Sequence, residues 1–166
     1  MSASSNSKRT MMFCMLAAMS ISAGQAGKFA LPEQQPCFAD VAIDAIEQSA
    51  STLAQRTDNL VHVQLAHGGA PTDIYLLTRQ TTLVERIQRR VLARGTLECV
   101  SALDSIKRDF TVVQTMSNAT LHGNKTLEID AITTPEAQPL LKEIARLIAV
   151  LGTELTNLKV SEFDND

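Results

Sequence analysis

Four stretches of the chain repeat apolar side chains at steps of three and four residues, and glycine or proline separates neighbouring stretches. An α-helix has 3.6 residues per turn, so this spacing gathers the apolar side chains on one helical face. No strand–turn–strand pattern competes with it. We therefore predict an all-α fold, and the short connections favour an antiparallel up-and-down four-helix bundle.

Glycine and proline also indicate where the helices end. The sequence predicts helices over residues 37–66, 72–94, 96–122 and 135–158. Thr72 or Asp73 is expected to cap the second helix. Gly95 is a weak break, so the second and third helices either separate there or join into one longer rod. The expected apolar stripe of the first helix comprises Val41, Ala45 or Ala42, Ile46, Ala50, Leu53, Leu60 and Val63. That of the second helix comprises Leu76, Leu83, Ile87 and Val91.

Composition narrows the classes of function. Hydrophobic residues make up 45% of the 166-residue chain, aromatic residues only 4%, and tryptophan is absent. An aliphatic core of this kind suits packed helices better than a β-sandwich. The scarcity of aromatic rings also disfavours stacking surfaces for single-stranded nucleic acid or sugars.

The first 26 residues have the pattern of a signal peptide. Lys8 and Arg9 precede an apolar run over residues 11–23, and Gly24 and Ala26 provide small side chains for cleavage. The run is shorter than the roughly 20 residues that span a bilayer, although an uncleaved N-terminal anchor is the alternative. We expect a cleaved peptide, a periplasmic protein and no membrane-spanning segment in the mature chain.

After cleavage at residue 26 the mature chain is predicted to have three parts: an N-terminal extension over residues 27–36, the bundle over 37–160 and an acidic tail over 161–166. Cleavage removes two of the 15 basic residues and none of the 18 acidic ones, which leaves 13 basic residues and a net charge of −5. A chain of this charge has no overall attraction to nucleic acid. We therefore expect no nucleic-acid partner.

The same cleavage removes Cys14 and leaves Cys37 and Cys99. Two thiols in an oxidising compartment often pair, which makes these residues disulfide candidates. The alternative is that each is buried separately as a small apolar side chain. The sequence does not give the distance between them, so both interpretations stay open.

Motifs for catalysis and metal binding are missing from the sequence. It contains no nucleophile elbow, phosphate-binding loop, HExxH or CxxC. His62 and His67 are five residues apart, which puts them on different faces of a helix. Acidic pairs such as Asp104 and Asp109 are interpreted as solvated charges. We therefore expect a protein that is not an enzyme and holds no metal or other cofactor.

Residues 78–94 form a basic segment in an otherwise acidic chain. Arg79, Arg86 and Arg90 are spaced seven and four residues apart, so they share one side of the second predicted helix. A guanidinium group binds nitrate, carboxylate or phosphate through two parallel hydrogen bonds. Two copies of the bundle that meet across this face would close an anion pocket, which predicts a homodimer. A solvated basic stripe that pairs with neighbouring acidic faces is the alternative.

The same segment carries a resemblance to a known family. A helix motif close to G-R-Q-R-M-L-S-Q-R-x-x-K is matched by Arg79, Gln80, Leu83, Arg86 and Arg89, with arginine in place of the final lysine. Thr78 replaces the first glycine of that motif, and Thr81 and Thr82 replace its Arg-Met pair. Over roughly residues 37–158 the chain resembles the PilJ-type N-terminal sensory domain of type IV pili methyl-accepting chemotaxis transducers.

This resemblance implies a sensory or ligand-binding bundle. It suggests that Arg79 and Arg86 hold a small anion, with Gln80 and Arg89 in support. Transducers of the family continue into a membrane helix and a cytoplasmic coiled coil, whereas this bundle is expected to be a standalone module, the partner of a membrane receptor or a degenerate relative of the family. A periplasmic protein-binding module, such as an immunity or inhibitor protein, is the alternative, because many of these are small exported bundles with one disulfide.

Overall fold

The structure is a computed structural model, and it describes residues 35–161. Four helices form this part of the chain: α1 (Asp40–Ala66), α2 (Pro71–Val91), α3 (Thr96–His122) and α4 (Gln138–Thr156). A short 3-10 helix, Pro135–Ala137, leads directly into α4. Within the described range there is no β-strand beyond two isolated bridges. The predicted all-helical class is therefore confirmed, and the helices pack as a bundle.

The helices pack around one apolar core. Helix α2 lies between α1 and α3, α4 packs against α1, and the contact between α3 and α4 is sparser. All four helices contribute fully buried aliphatic side chains, among them Ile46, Leu53, Leu60, Leu77, Ile87, Ile106, Val113 and Leu151. Burial of each such side chain contributes about 1.5–3 kcal/mol relative to exposure, so the aliphatic stripes dominate the stability of the bundle.

The apolar stripes of α1 and α2 differ from the predicted ones at several positions, and one of these, Val63, is half-buried against the core. Val41 was expected in the core, but it is 83% exposed, and Ile43 is buried instead. Val41 lies five residues before Ile46, which places the two on different faces of a 3.6-residue helix. In α2 the buried residue at the start of the stripe is Leu77, while Leu76 is only half-buried and faces the seam with α3.

Glycine separates α2 from α3 and allows the loop after α3 to fold back. Gly95 has a φ of 90°, so the two helices are distinct and do not form one rod. Gly123 ends α3 with a φ of 75°, and a Cβ atom there would lie 3.0 Å from the carbonyl oxygen of Ile129. At the start of α2, Pro71 occupies the first turn, and the expected capping residues Thr72 and Asp73 lie inside the helix.

A disulfide joins Cys37 to Cys99, with Cα atoms 5.1 Å apart. The backbone N–H of Cys37 also donates to the carbonyl oxygen of Ala93 at 3.0 Å, and the Cys37 carbonyl accepts from the N–H of Ser161 at 2.7 Å. The residues that precede α1 are thereby fastened to the α2–α3 connection and to the segment after α4. Three parts of the chain that are far apart in sequence meet at this end of the bundle.

Several sequence-based expectations concern residues outside the described range. The predicted signal peptide over residues 1–26 lies there, as do most of the extension over 27–36 and of the acidic tail over 161–166. Between residues 35 and 161, no helix is both long enough and apolar enough to cross a membrane.

Candidate functional site

Two of the predicted basic residues converge on one buried carboxylate. Arg86 on α2 donates from Nε to Oδ2 of Asp109 on α3 at 2.9 Å, and from Nη2 to Oδ1 at 2.6 Å. Arg90 donates from Nη1 to Oδ2 of the same residue at 2.7 Å. The Asp109 side chain is only 8% exposed, whereas the side chains of Arg86 and Arg90 are 43% and 35% exposed. We call these three residues the arginine–aspartate cluster.

The cluster joins α2 to α3 through charge-assisted hydrogen bonds, which are stronger than neutral ones. Donation to Asp109 raises the pKa of the Arg86 guanidinium, so this side chain stays charged under all ordinary conditions. Asp109 was interpreted as a solvated charge, and that interpretation is wrong. Its position three residues after the buried Ile106 was the signal that it shares the apolar face of α3.

Gln80, predicted to support a ligand site, lies in the core and is fully buried. Its Nε2 donates to Oγ1 of Thr57 on α1 at 3.2 Å, and Thr57 in turn donates to the carbonyl oxygen of Leu53 at 2.8 Å. Oε1 of Gln80 has no hydrogen-bond partner among the described residues. The amide therefore fixes the register of α1 against α2 but leaves one buried acceptor unsatisfied.

We expect Gln80→Met to raise the free energy of unfolding by about 1 kcal/mol, because the cost of the unsatisfied Oε1 exceeds the contribution of the 3.2 Å hydrogen bond to Thr57 that is lost with it, and methionine preserves side-chain volume. Thr57 keeps its hydrogen bond to Leu53 in this variant. Urea unfolding measures the change. Gln88→Met is the matched control, since Gln88 is half-buried and donates to the Glu47 carbonyl oxygen at 3.3 Å. A destabilised Gln80→Met variant would contradict the interpretation.

Arg79 and Arg89, the other two predicted ligand residues, are exposed on α2. Neither forms an ion pair with another residue in the described part of the chain. The structure thus separates the four predicted residues into three environments: Gln80 in the core, Arg86 in the arginine–aspartate cluster, and the two remaining arginines at the surface. Arg79 and Arg89 have guanidinium groups that are open to an external anion.

An apolar cavity lies beside the arginine-bearing helix and was not predicted from the sequence. It has a volume of about 220 Å³ and is bounded by α2, α3 and the loop that follows α3. That loop is closed by two backbone hydrogen bonds between Asn124 and Ile129, at 2.7 and 2.9 Å. The loop turns back because Gly123 permits the close approach described above. We call this space the α2–α3 cavity.

A broader groove of about 620 Å³ follows the sparse contact between α3 and α4. Phe110 packs over Gly152 at its floor, where a Cβ atom would lie 3.1 Å from the aromatic ring. Polar side chains such as Lys107, Gln114 and Thr153 line much of this groove. Its mixed polar and apolar lining makes it a less specific place for an apolar ligand than the α2–α3 cavity.

The described residues offer no metal site, since no three His, Cys, Asp or Glu side chains of residues 35–161 are placed to hold an ion together. Nδ1 of His62 donates to the carbonyl oxygen of Asp58 in its own helix at 2.8 Å, and Nδ1 of His67 lies 3.9 Å from Oε2 of Glu136. Asp73 near the start of α2 has its pKa raised mainly by burial and further by the neighbouring charge of Asp130.

Part of this chain is similar in sequence to known chemotaxis proteins. No protein-family model matches the chain. AlkN of Alcanivorax borkumensis, described as a methyl-accepting chemotaxis protein, is 30% identical over 121 residues, which cover 72% of this chain and 17% of AlkN. Protein PilJ of Pseudomonas aeruginosa is 33% identical over 113 residues, which cover 62% of this chain and 16% of PilJ. This chain contains a PilJ-like region.

The PilJ-like region includes all of α2, because a stretch that covers 62% of 166 residues contains residues 71–91 wherever it begins. The predicted resemblance is confirmed at this level. The chain spans about a sixth of the length of the two relatives. The arginines of α2 therefore lie within the part of the sequence that the similarity covers.

Proposed function

We propose that this chain is a PilJ-like sensory module that binds a small anionic ligand through arginine side chains of α2 and catalyses no reaction. The observation that carries the proposal is that Arg79 and Arg89, on the helix that the similarity includes, are exposed and unpaired among residues 35–161. A guanidinium group without an internal partner is free to bind a carboxylate, nitrate or phosphate in two-point fashion.

In this proposal the arginines of α2 have different tasks. Arg79 contacts the ligand, and Arg89 adds positive potential on the same helix. Arg86 is held by Asp109 through Nε and Nη2, so it fixes α2 against α3 while its partly exposed guanidinium also attracts anions. Gln80 is fully buried, so it supports the site only by fixing the register of the helices.

We also infer the antiparallel up-and-down topology for the bundle. The hydrogen bonds and the disulfide of Cys37 support it, because they place the start of α1 beside the end of α2, the start of α3 and the end of α4. Connections of only four residues, 67–70 and 92–95, join α1 to α2 and α2 to α3. Helices joined by connections this short pack as antiparallel neighbours.

Export to the periplasm is part of the proposal. The signal-peptide pattern of residues 1–26 supports it, and so does the Cys37–Cys99 disulfide, since disulfides persist mainly in oxidising compartments. A membrane receptor as partner and the association of two copies stay predictions. No feature of the described residues favours an immunity or inhibitor protein over a sensory module.

Thermal unfolding with a panel of anions tests the proposal. A ligand that binds only the folded protein raises the melting temperature, and the rise grows as its concentration exceeds Kd. We expect at least one of nitrate, phosphate and the straight-chain carboxylates to raise it at constant ionic strength, and Arg79→Ala to remove most of the shift. Arg146→Ala, which removes an exposed arginine from α4, is the matched control and should keep the shift.

Absence of a shift with every anion would contradict the proposed function, and an equal loss in the Arg79→Ala and Arg146→Ala variants would show only a general effect of charge. Circular dichroism of each variant checks that the helices are intact. Because Arg79 is exposed and unpaired in the described part of the chain, its replacement should leave the melting temperature without ligand unchanged.

A further inference from the structure

We infer that the ligand is an anion with an apolar tail, such as a short straight-chain carboxylate, with the tail in the α2–α3 cavity and the head on Arg79. The inference rests on the proposed function and names the class of ligand for it. Six apolar side chains line the cavity: Leu76, Val112, Met116, Ala119, Leu127 and Ile129. The other two lining residues are threonines.

The size and lining of the cavity favour an alkyl group. Its volume is about 220 Å³, which exceeds the roughly 150 Å³ that holds benzene in an enclosed apolar cavity, and it opens to solvent beside Val112 and Leu127. A tail of roughly six carbon atoms therefore fits. The two threonine hydroxyls at its wall, Thr111 and Thr115, donate to carbonyl oxygens of their own helix at 3.0 Å. They leave no free donor at the wall for a polar tail.

The position of Arg79 supplies the charge that such a ligand needs. Leu76, a wall of the cavity, precedes Arg79 by three residues on α2, so their Cβ atoms are about 5–6 Å apart. Arg86 and Arg90 are bound to Asp109, whereas Arg79 pairs with none of the described side chains. Arg79 is therefore the α2 cation beside the cavity that is open to an anionic head.

The register between α2 and α3 places the same arginine level with the cavity. Arg86 contacts Asp109, and the two helices run in opposite directions in the proposed topology. The residue seven positions before Arg86 on α2 therefore lies level with the residue seven positions after Asp109 on α3. Arg79 then lies opposite Met116, a lining residue. In the same register, Leu76, ten residues before Arg86, lies opposite Ala119, ten residues after Asp109. Both residues line the cavity, which supports the register.

Isothermal titration calorimetry of the full chain with a homologous series of carboxylates, from acetate to octanoate, tests the inference. Each methylene that enters an apolar site contributes about 0.8 kcal/mol, so affinity should rise about fourfold per methylene. We expect this rise to level off near six carbons, where the cavity is full. Hexanol, which has the tail without the charge, should bind at least about tenfold more weakly than hexanoate.

Two tryptophan variants locate the tail. Thr115→Trp places a large side chain at the wall of the α2–α3 cavity and should weaken hexanoate binding by about tenfold or more. Thr153→Trp is the matched control, because Thr153 is also an exposed helical threonine that donates to the carbonyl four residues earlier, at 3.1 Å, but it lines the α3–α4 groove. It should leave binding unchanged. Arg79→Ala should weaken hexanoate but not hexanol.

Different failures point to different errors. Equal affinities for acetate and hexanoate would overturn the apolar-tail inference and leave the proposed function standing. Loss of binding in Thr153→Trp and not in Thr115→Trp would also overturn it, since the ligand would then occupy the α3–α4 groove. Hexanol that binds as tightly as hexanoate would exclude Arg79 as the head-group contact. No binding of any anion would contradict the proposed function itself.

Discussion

Replacement of Cys37 and Cys99 by alanine is expected to lower the free energy of unfolding by about 4 kcal/mol. The disulfide closes a loop with a sequence separation of 62 residues, and the chain-entropy model gives this magnitude for a loop of that length. Both residues are buried, so alanine avoids placing an unsatisfied hydroxyl in the core. Urea unfolding of the double variant and of the oxidised parent measures the difference.

Reduction of the parent protein is the control for this experiment. Dithiothreitol in the denaturation series should lower the stability of the parent to near that of the double variant, and it should leave the variant unaffected. The hydrogen bonds of Cys37 to Ala93 and Ser161 come from the backbone, so they survive the substitution. A loss below about 1 kcal/mol would mean that the loop-closure entropy does not govern the stability of this bundle.

Arg86→Ala is expected to lower the free energy of unfolding by about 2 kcal/mol. The substitution removes two of the three hydrogen bonds that the buried carboxylate of Asp109 accepts from the arginines of α2. Hydrogen bonds to charged groups contribute about 1.5–3 kcal/mol, and the partial exposure of Arg86 places the effect below that of a fully buried pair. Arg79→Ala, which removes an exposed arginine from the same helix, should change stability little.

A double-mutant cycle separates the contact from the individual substitutions. Asp109→Ala alone leaves the arginines half-exposed to water, so it should cost less than leaving a buried carboxylate short of donors. In the combined variant we expect a coupling energy of at least about 1 kcal/mol between Arg86 and Asp109. Purely additive effects would contradict the arginine–aspartate cluster and would return Arg86 to the set of residues available to a ligand.

Comparison of Arg86→Ala with Arg79→Ala bears on function as well as on stability. If Arg86 is a structural residue, its loss weakens ligand binding by loosening α2 from α3 and by removing one positive charge from the helix, while the loss of Arg79 removes a direct contact. Hexanoate affinity measured well below the melting temperature of each variant distinguishes the two. A greater loss in Arg86→Ala than in Arg79→Ala would make Arg86 the principal ligand residue.

Local sequence patterns predicted the helices well because helix formation depends on neighbours in the chain. Ile144, Leu147, Leu151 and Leu155 recur at three- and four-residue steps along α4, and all four are buried. Val41 and Leu76, which the stripes placed in the core, lie near helix starts, where a stripe has few members to fix its angle. Glycine and proline located the breaks because backbone conformation at those residues is a local property.

The sequence by itself determined the helical class and the arginine motif that pointed to the PilJ-like region, and it left open whether Gly95 breaks the second helix from the third. Only the tertiary structure decided which arginines have a partner. Arg86 and Asp109 are 23 residues apart, as are Gln80 and Thr57, and the period of a helix does not set the register between two helices. Side-chain packing across the whole bundle sets that register, and with it the α2–α3 cavity beside Arg79.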